Sequence, residues 1–169
     1  MVTGDNKYFL LDEDIIRRYD IPKLFLRPAV SPPRNIKKDI LSRQLMSDAG
    51  ARYLFVCQES EDKLRSEYPS VWKYIEKGLE NGVDKGYICR QRTPWYHCKP
   101  NRNPMFIIPY MSRNAEGAKP FRFILNDTVC VVPNSYLLLF PKESIAELCG
   151  NEDLRRQIWN TLNDIPKET

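Results

Sequence analysis

Two stretches of the chain show the spacing of amphipathic helices. The pattern predicts helix over residues 60–81, beginning at the capping residue Ser60, interrupted at Pro69 and ended by Gly82. Its apolar face is formed by Val71, Trp72, Ile75 and Leu79. A second helix is predicted after the capping residue Asn151. Its face is formed by Leu154, Ile158, Trp159 and Leu162.

Shorter patterns predict the other elements. "DEDIIRRYDI" predicts a short helix capped by Asp12, and "NKYFLL" and "RYLFVC" predict strands in the first third of the chain. After Gly86, short apolar runs separated by turn residues predict a cluster of strands. They are "YICR", "MFIIPYM", "FRFIL", "VCVV" and "YLLLF". We therefore expect an α+β fold, with mixed, mainly antiparallel sheet in the C-terminal half flanked by helices.

Composition fits one globular domain over residues 1–169, with 42% hydrophobic and 28% charged residues. No apolar run reaches the roughly 18 residues of a membrane helix, and the first residues are too polar for a secretory signal. We expect a cytoplasmic protein with no membrane partner.

The five cysteines are odd in number and widely spaced, which indicates free thiols and no disulfide framework or zinc site.

The positive charge is unevenly distributed. The net charge is +4, yet residues 85–122 contain eight basic residues and one acidic residue, a local charge of +7. The basic residues are Lys85, Arg90, Arg92, Lys99, Arg102, Arg113, Lys119 and Arg122. Such asymmetry favours a polyanionic partner on one face, although a solvated basic surface has the same composition.

Three catalytic patterns are weak. His97 and Cys98 are adjacent, so on a strand they would face opposite ways and could not form a nucleophile–base pair. "SPPR" at residues 31–34 lacks the aromatic of an adenine methyltransferase motif, and no Gly-x-Gly occurs, so we interpret it as a rigid turn. A metal-dependent nuclease using Asp48, Glu61 and Lys63 is the enzymatic alternative.

Residues 86–113 combine arginines, aromatics and prolines. Arg90 and Arg92 would share one face of a strand and could contact guanine edges or phosphates. Trp95 and Tyr96 offer rings for stacking, unless they belong to the core. Asn101, Arg102 and Asn103 occupy the expected loop tip, where they could read base edges. We predict phosphate contacts from Lys85, Lys99, Arg113, Lys119 and Arg122.

Six fragments occur in a familiar order. They are "TGDNKYFLL", "FLRP", "RTPWY", "PYMSR", "PFRFILN" and "NSYLLLFP". Together they resemble the C-terminal half of N6-adenine DNA methyltransferases of bacterial restriction–modification systems, the group with a TaqI-like target-recognition region. The resemblance covers nearly the entire chain.

The resemblance implies a target-recognition domain that binds double-stranded DNA beside an N-terminal methyltransferase domain. In such enzymes the N-terminal domain binds S-adenosylmethionine and carries the catalytic motif. This chain alone is then expected to have no catalytic residues, no cofactor and no metal. The remaining alternative is a protein-interaction module whose basic face meets an acidic partner.

Overall fold

A computed structural model describes residues 3–110 and 122–164. The predicted α+β class is confirmed. The helices are α1 Asn6–Phe9, α2 Glu13–Tyr19, α3 Arg43–Asp48, α4 Glu61–Glu67, α5 Pro69–Glu80, α6 Glu143–Ala146 and α7 Glu152–Asp164. The strands are β1 Leu10–Leu11, β2 Leu26–Ala29, β3 Ile40–Leu41, β4 Arg52–Phe55, β5 Phe106–Pro109, β6 Ile124–Asn126 and β7 Tyr136–Leu139.

The strands form two sheets. The first is antiparallel with the order β1-β4-β2, so it is built from the first third of the chain. The second has the order β3-β6-β5-β7, in which β3 pairs with β6 in parallel and the other pairs are antiparallel. Val131, in the segment between β6 and β7, forms an isolated bridge with Ala29 of the first sheet, and its amide donates to the Pro28 carbonyl at 2.7 Å.

Each sheet has its own core. The first core is rich in aromatic residues, because α1 and α5 pack tyrosine, phenylalanine and tryptophan side chains against β4, while α4 adds Leu64. Within it the rings of Tyr8 and Tyr74 stack with centroids 4.7 Å apart. The second core is mostly aliphatic and lies between the second sheet and α3. Residues 86–98 pack on the first core, and residues 101–105 lead into the second sheet.

The predicted helix caps are confirmed. The Asp12 carboxylate accepts a hydrogen bond from the Ile15 amide at 3.0 Å, and the Ser60 hydroxyl accepts one from the Lys63 amide. The Asn151 side chain accepts one from the Leu154 amide at 3.0 Å. These predictions succeed because a cap depends on residues within one helical turn.

Three strand predictions need correction. Residues 6–9 of "NKYFLL" form α1, because the Asp5 carboxylate accepts hydrogen bonds from the Lys7 and Tyr8 amides. "YICR" contains the 3₁₀ turn Cys89–Gln91 instead of a strand. "VCVV" contributes only the bridge at Val131. "RYLFVC", "MFIIPYM" and "YLLLF" contain β4, β5 and β7 as predicted, and β6 begins within "FRFIL" and ends one residue beyond it.

Within residues 3–110 and 122–164, no helix combines the length and the apolar character that a bilayer span requires.

Candidate nucleic-acid interface

The two arginines at the start of the basic segment do not share a face. Arg90 lies on the 3₁₀ turn Cys89–Gln91, which replaces the predicted strand, and its side chain is exposed. Arg92 follows the turn and points inward. One of its terminal nitrogens donates to the Thr3 carbonyl at 2.8 Å, and its guanidinium lies 5.6 Å from the centre of the Phe9 ring. Arg92 therefore fixes the start of the chain against the turn.

Trp95 packs into the aromatic core. Its ring lies 5.3 Å from the Tyr8 ring and 6.3 Å from the Phe9 ring, centre to centre. Helix α5 approaches this ring through Gly78, where a Cβ atom would lie 2.5 Å from Trp95 and 2.7 Å from Tyr8. Glycine costs about 1 kcal/mol in a helix interior, so its presence here is explained by the close approach of the rings.

Tyr96 is also part of the core. Its residue is 3% exposed, and its hydroxyl donates to the Glu59 carbonyl at 3.1 Å. Burial raises the pKa of this hydroxyl to about 12, so it stays a donor at neutral pH. The two rings that the sequence offers for stacking are therefore both committed to packing in this conformation.

The two asparagines of the loop anchor it to the second core. The Asn101 side chain donates to the Val132 carbonyl at 3.0 Å and accepts from the Val132 amide at 3.3 Å. The Asn103 side-chain oxygen accepts from the Asn126 side chain at 3.0 Å and from the Cys130 amide at 3.2 Å. Both asparagines thus fix the backbone, which is a different role from the predicted reading of base edges.

Lys99 and Arg102 project outward from the same loop. Both side chains are exposed, and Arg102 lies 5.4 Å from the centre of the half-exposed Phe140 ring. Within the described part of the chain, neither makes an ion pair or a side-chain hydrogen bond. Lys85 and Arg90 are also exposed, and among the described residues they too make no ion pair and no side-chain hydrogen bond. The backbone of this loop is already fixed. An anionic partner that bound its cations would therefore have to order only their side chains, which lowers the entropy cost of binding.

Arg122 has a structural role that the sequence does not reveal. Its guanidinium donates to the carbonyls of Ile36 at 2.7 Å and Lys38 at 2.8 Å, and its Nε pairs with the Asp39 carboxylate. These contacts use all three of its nitrogens. Arg113 and Lys119, the two other predicted phosphate contacts, lie outside the described residues.

The thiols and the histidine have no catalytic arrangement among the described residues. All five cysteines are free and buried, as predicted. Burial raises the pKa of Cys98, which Arg92 opposes, and burial raises that of Cys57 to about 11. Such thiols stay protonated and inert at neutral pH. The buried His97 Nε2 makes no hydrogen bond in the described structure, so it is not oriented as a base.

The nuclease alternative has no support from the structure. Glu61 and Lys63 lie in the first turn of α4, where Glu61 pairs with Arg65 and Lys63 pairs with Glu59. Asp48 ends α3 and accepts a hydrogen bond from Gln44. Across residues 3–110 and 122–164, no three acidic, histidine or cysteine side chains come together as metal ligands would.

Comparisons with known proteins identify the family of the chain. The family described as Type II methyltransferase M.Eco57I, C-terminal domain, matches residues 1–163. The Type II methyltransferase M.AccI of Acinetobacter calcoaceticus is 25% identical over 154 residues, which cover 88% of this chain and 26% of that protein. The chain thus spans about a quarter of the length of this curated relative. No solved structure matches it.

Proposed function

The chain belongs to the family of the C-terminal domain of Type II methyltransferase M.Eco57I, and from this premise we propose that it recognises double-stranded DNA. It does so for an adenine-N6 methyltransferase of a restriction–modification system, as the TaqI-like recognition region of related enzymes would. Its second partner is the methyltransferase domain of the same enzyme, in the bacterial cytoplasm. These are functions of a whole enzyme, of which this chain corresponds to the C-terminal part.

One observation supports the DNA-binding proposal above the others. The loop at residues 99–103 is anchored by Asn101 and Asn103, while Lys99 and Arg102 extend from it into solvent. Lysine binds a phosphate as a point charge, and arginine can bind a phosphate or a guanine edge through two parallel hydrogen bonds. We assign Lys99 to phosphate contact and Arg102 to phosphate or base contact.

The other residues predicted to contact DNA fall into two groups, those that are exposed and those that bond within the fold. Arg90 and Lys85 are exposed and stay candidates for phosphate contact, and Arg113 and Lys119 stay candidates by sequence alone. The other predicted contacts pack or bond within the fold, and we assign them a positioning role. They are Arg92, Trp95, Tyr96, Asn101, Arg122 and the side-chain oxygen of Asn103. Their replacement would affect DNA binding through the stability of the fold.

We assign methyl transfer and the S-adenosylmethionine site to the catalytic part of the enzyme. The chain has no Gly-x-Gly turn between a strand and a helix, the feature that holds such a nucleoside in many α/β folds.

The experiment is a fluorescence anisotropy titration of the chain on labelled duplex DNA, at salt concentrations from about 50 to 200 mM. We expect affinity to fall as salt rises, because each phosphate contact releases counterions. Replacing Lys99 with Ala is expected to reduce the slope of log K against log salt by about 1. Lys73→Ala on α5, also an exposed lysine, is the matched control and should leave the slope unchanged.

Two results would contradict the proposal. One is no binding at low salt at any protein concentration that stays soluble. The other is binding whose affinity does not change with salt, because contact with phosphates requires such a change. If Lys99→Ala and Lys73→Ala reduced the slope equally, DNA binding would stand but its assignment to this loop would fail.

A further inference from the structure

The loop at residues 31–39, which joins β2 to β3, carries a second group of unpaired cations. It contains Arg34, Lys37 and Lys38, and its only acidic residue is Asp39. All three basic side chains are exposed. Among the described residues, none of them makes an ion pair or a side-chain hydrogen bond. This group lies outside the basic segment at residues 85–122.

The first half of this loop is fixed to the turn that follows α3. The Ser31 hydroxyl donates to the Gly50 carbonyl at 2.7 Å, and the Asn35 side chain donates to the Ala49 carbonyl at 3.2 Å. Pro33–Asn35 form a 3₁₀ turn, which confirms the turn predicted at "SPPR". Arg34 therefore extends from a backbone that is held on both sides.

The second half is fixed by Arg122 and by the second core. Ile36 is 1% exposed and packs in that core. The Arg122 guanidinium donates to the carbonyls of Ile36 and Lys38 and pairs with Asp39. This contact also neutralises the one acid of the loop, so the charges of Lys37 and Lys38 are not opposed locally.

The sheet topology places the two basic loops at opposite ends of β6. The parallel pairing of Ile40 with Leu125 brings the loop at residues 31–39 to the beginning of β6. Asn103 bonds to Asn126 at the end of β6. Strand β6 has three residues, so at about 3.3 Å per strand residue the two loops leave it at points roughly 10 Å apart. One turn of duplex DNA is about 34 Å long, so one duplex can reach both loops.

We propose that the loop at residues 31–39 is a second contact for duplex DNA, which binds phosphates through Arg34, Lys37 and Lys38. This inference rests on the proposed DNA-binding function. The loop exposes no aromatic ring for stacking on bases, and its one large apolar residue, Ile36, is buried. A protein interface would need an apolar centre, so the cations without one favour a phosphate backbone.

The test compares two triple variants in the same salt-dependent titration on duplex DNA. In the loop variant, Arg34, Lys37 and Lys38 are replaced by Ala. In the control variant, Lys7, Lys23 and Lys73 are replaced by Ala, which removes the same charge from exposed positions on or beside the first core. Because the loop side chains make no described bonds, both variants should fold, and circular dichroism checks this.

We expect the loop variant to lose at least about tenfold in affinity near 100 mM salt and to reduce the salt slope by 2 to 3, about 1 for each lost phosphate contact. The reduction should be equal on two duplexes of unrelated sequence, because phosphate contacts carry no sequence information. The control variant should keep at least two thirds of the wild-type slope.

Three outcomes would overturn the inference. If the wild-type chain binds DNA and the loop variant keeps its slope, the second contact does not exist, while the proposed function stands. If both variants lose slope equally, the effect is one of net charge and not of this loop. If the wild-type chain does not bind duplex DNA at all, the proposed function and this inference both fail.

Discussion

Both halves of the segment at residues 92–103 contain proline and arginine, yet their basic side chains have opposite orientations. In residues 92–98 the arginine and the aromatic rings turn inward, to the Thr3 carbonyl, the Phe9 ring and the Glu59 carbonyl. In residues 99–103 the asparagines turn inward and the cations turn outward. The composition of a segment therefore does not determine which of its side chains face a partner.

The difference arises from the partners that each half meets. The first half lies against α1 and α5. A buried carbonyl without a hydrogen-bond donor would destabilise the fold there, and the aromatic rings of the core are stabilised by contact with other rings. The second half lies beside the isolated bridge at Val131, where the backbone of Val132 lacks a strand partner. Asn101 supplies the missing donor and acceptor, which leaves Lys99 and Arg102 free to face solvent.

The largest expected effect is on the inward half. Trp95→Ala should lower the free energy of unfolding by about 3–5 kcal/mol, because it leaves a cavity among Tyr8, Phe9 and Gly78. Urea denaturation measures this. Tyr87→Ala, at an aromatic residue that is 70% exposed, is the control and should change stability by less than about 0.5 kcal/mol. Equal effects at the two positions would show that Trp95 is not a core residue.

Gly78→Ala also tests the packing of Trp95 against α5, because here alanine should destabilise a helix that it would usually stabilise. Alanine stabilises most helix interiors relative to glycine by about 1 kcal/mol. At Gly78 the added methyl group would meet the rings of Trp95 and Tyr8, so we expect a loss of about 1–3 kcal/mol instead. A thermal unfolding curve that shifts upward would mean that Trp95 does not pack against α5 as described.

Asn101→Ala tests the anchoring of the outward half. It removes both bonds to the Val132 backbone, and we expect a loss of about 1–3 kcal/mol in urea denaturation. Lys99→Ala in the neighbouring position should cost less than about 0.5 kcal/mol, because its side chain is exposed. If the two variants were equally stable, the asparagine would not be an anchor.

The smallest effect is a pH dependence from two buried thiols, Cys57 in the first core beside the inward half and Cys130 in the second core beside the outward half. Burial raises the pKa of Cys57 to about 11 and that of Cys130 to about 12, above the ordinary value near 9. The stability that these protonated thiols contribute is complete below pH 9 and is lost as pH rises through those raised values. Between pH 8 and 9.5 the free energy of unfolding should fall by about 1 kcal/mol. Unfolding curves that coincide at the two pH values would contradict the burial of the thiols.

The sequence predicts the features that depend on near neighbours. Caps, helix periods and most strands follow from residues within one or two turns, so the caps at Asp12, Ser60 and Asn151 can be predicted from the sequence. The site is harder, because Arg92 and Arg122 bond to carbonyls more than eighty residues away. Their inward orientation depends on tertiary packing that no local pattern encodes. A charge count over residues 85–122 also does not include the cations at residues 34–38.

Lysine footprinting tests the central claim most directly. The chain is treated with an amine-labelling reagent with and without saturating duplex DNA, and mass spectrometry gives the labelling rate at each lysine. We predict that duplex DNA slows labelling at Lys99, while Lys23 and Lys73 keep their rates. Unchanged labelling at Lys99 under saturating DNA would contradict the claim that the outward half of the segment faces the duplex.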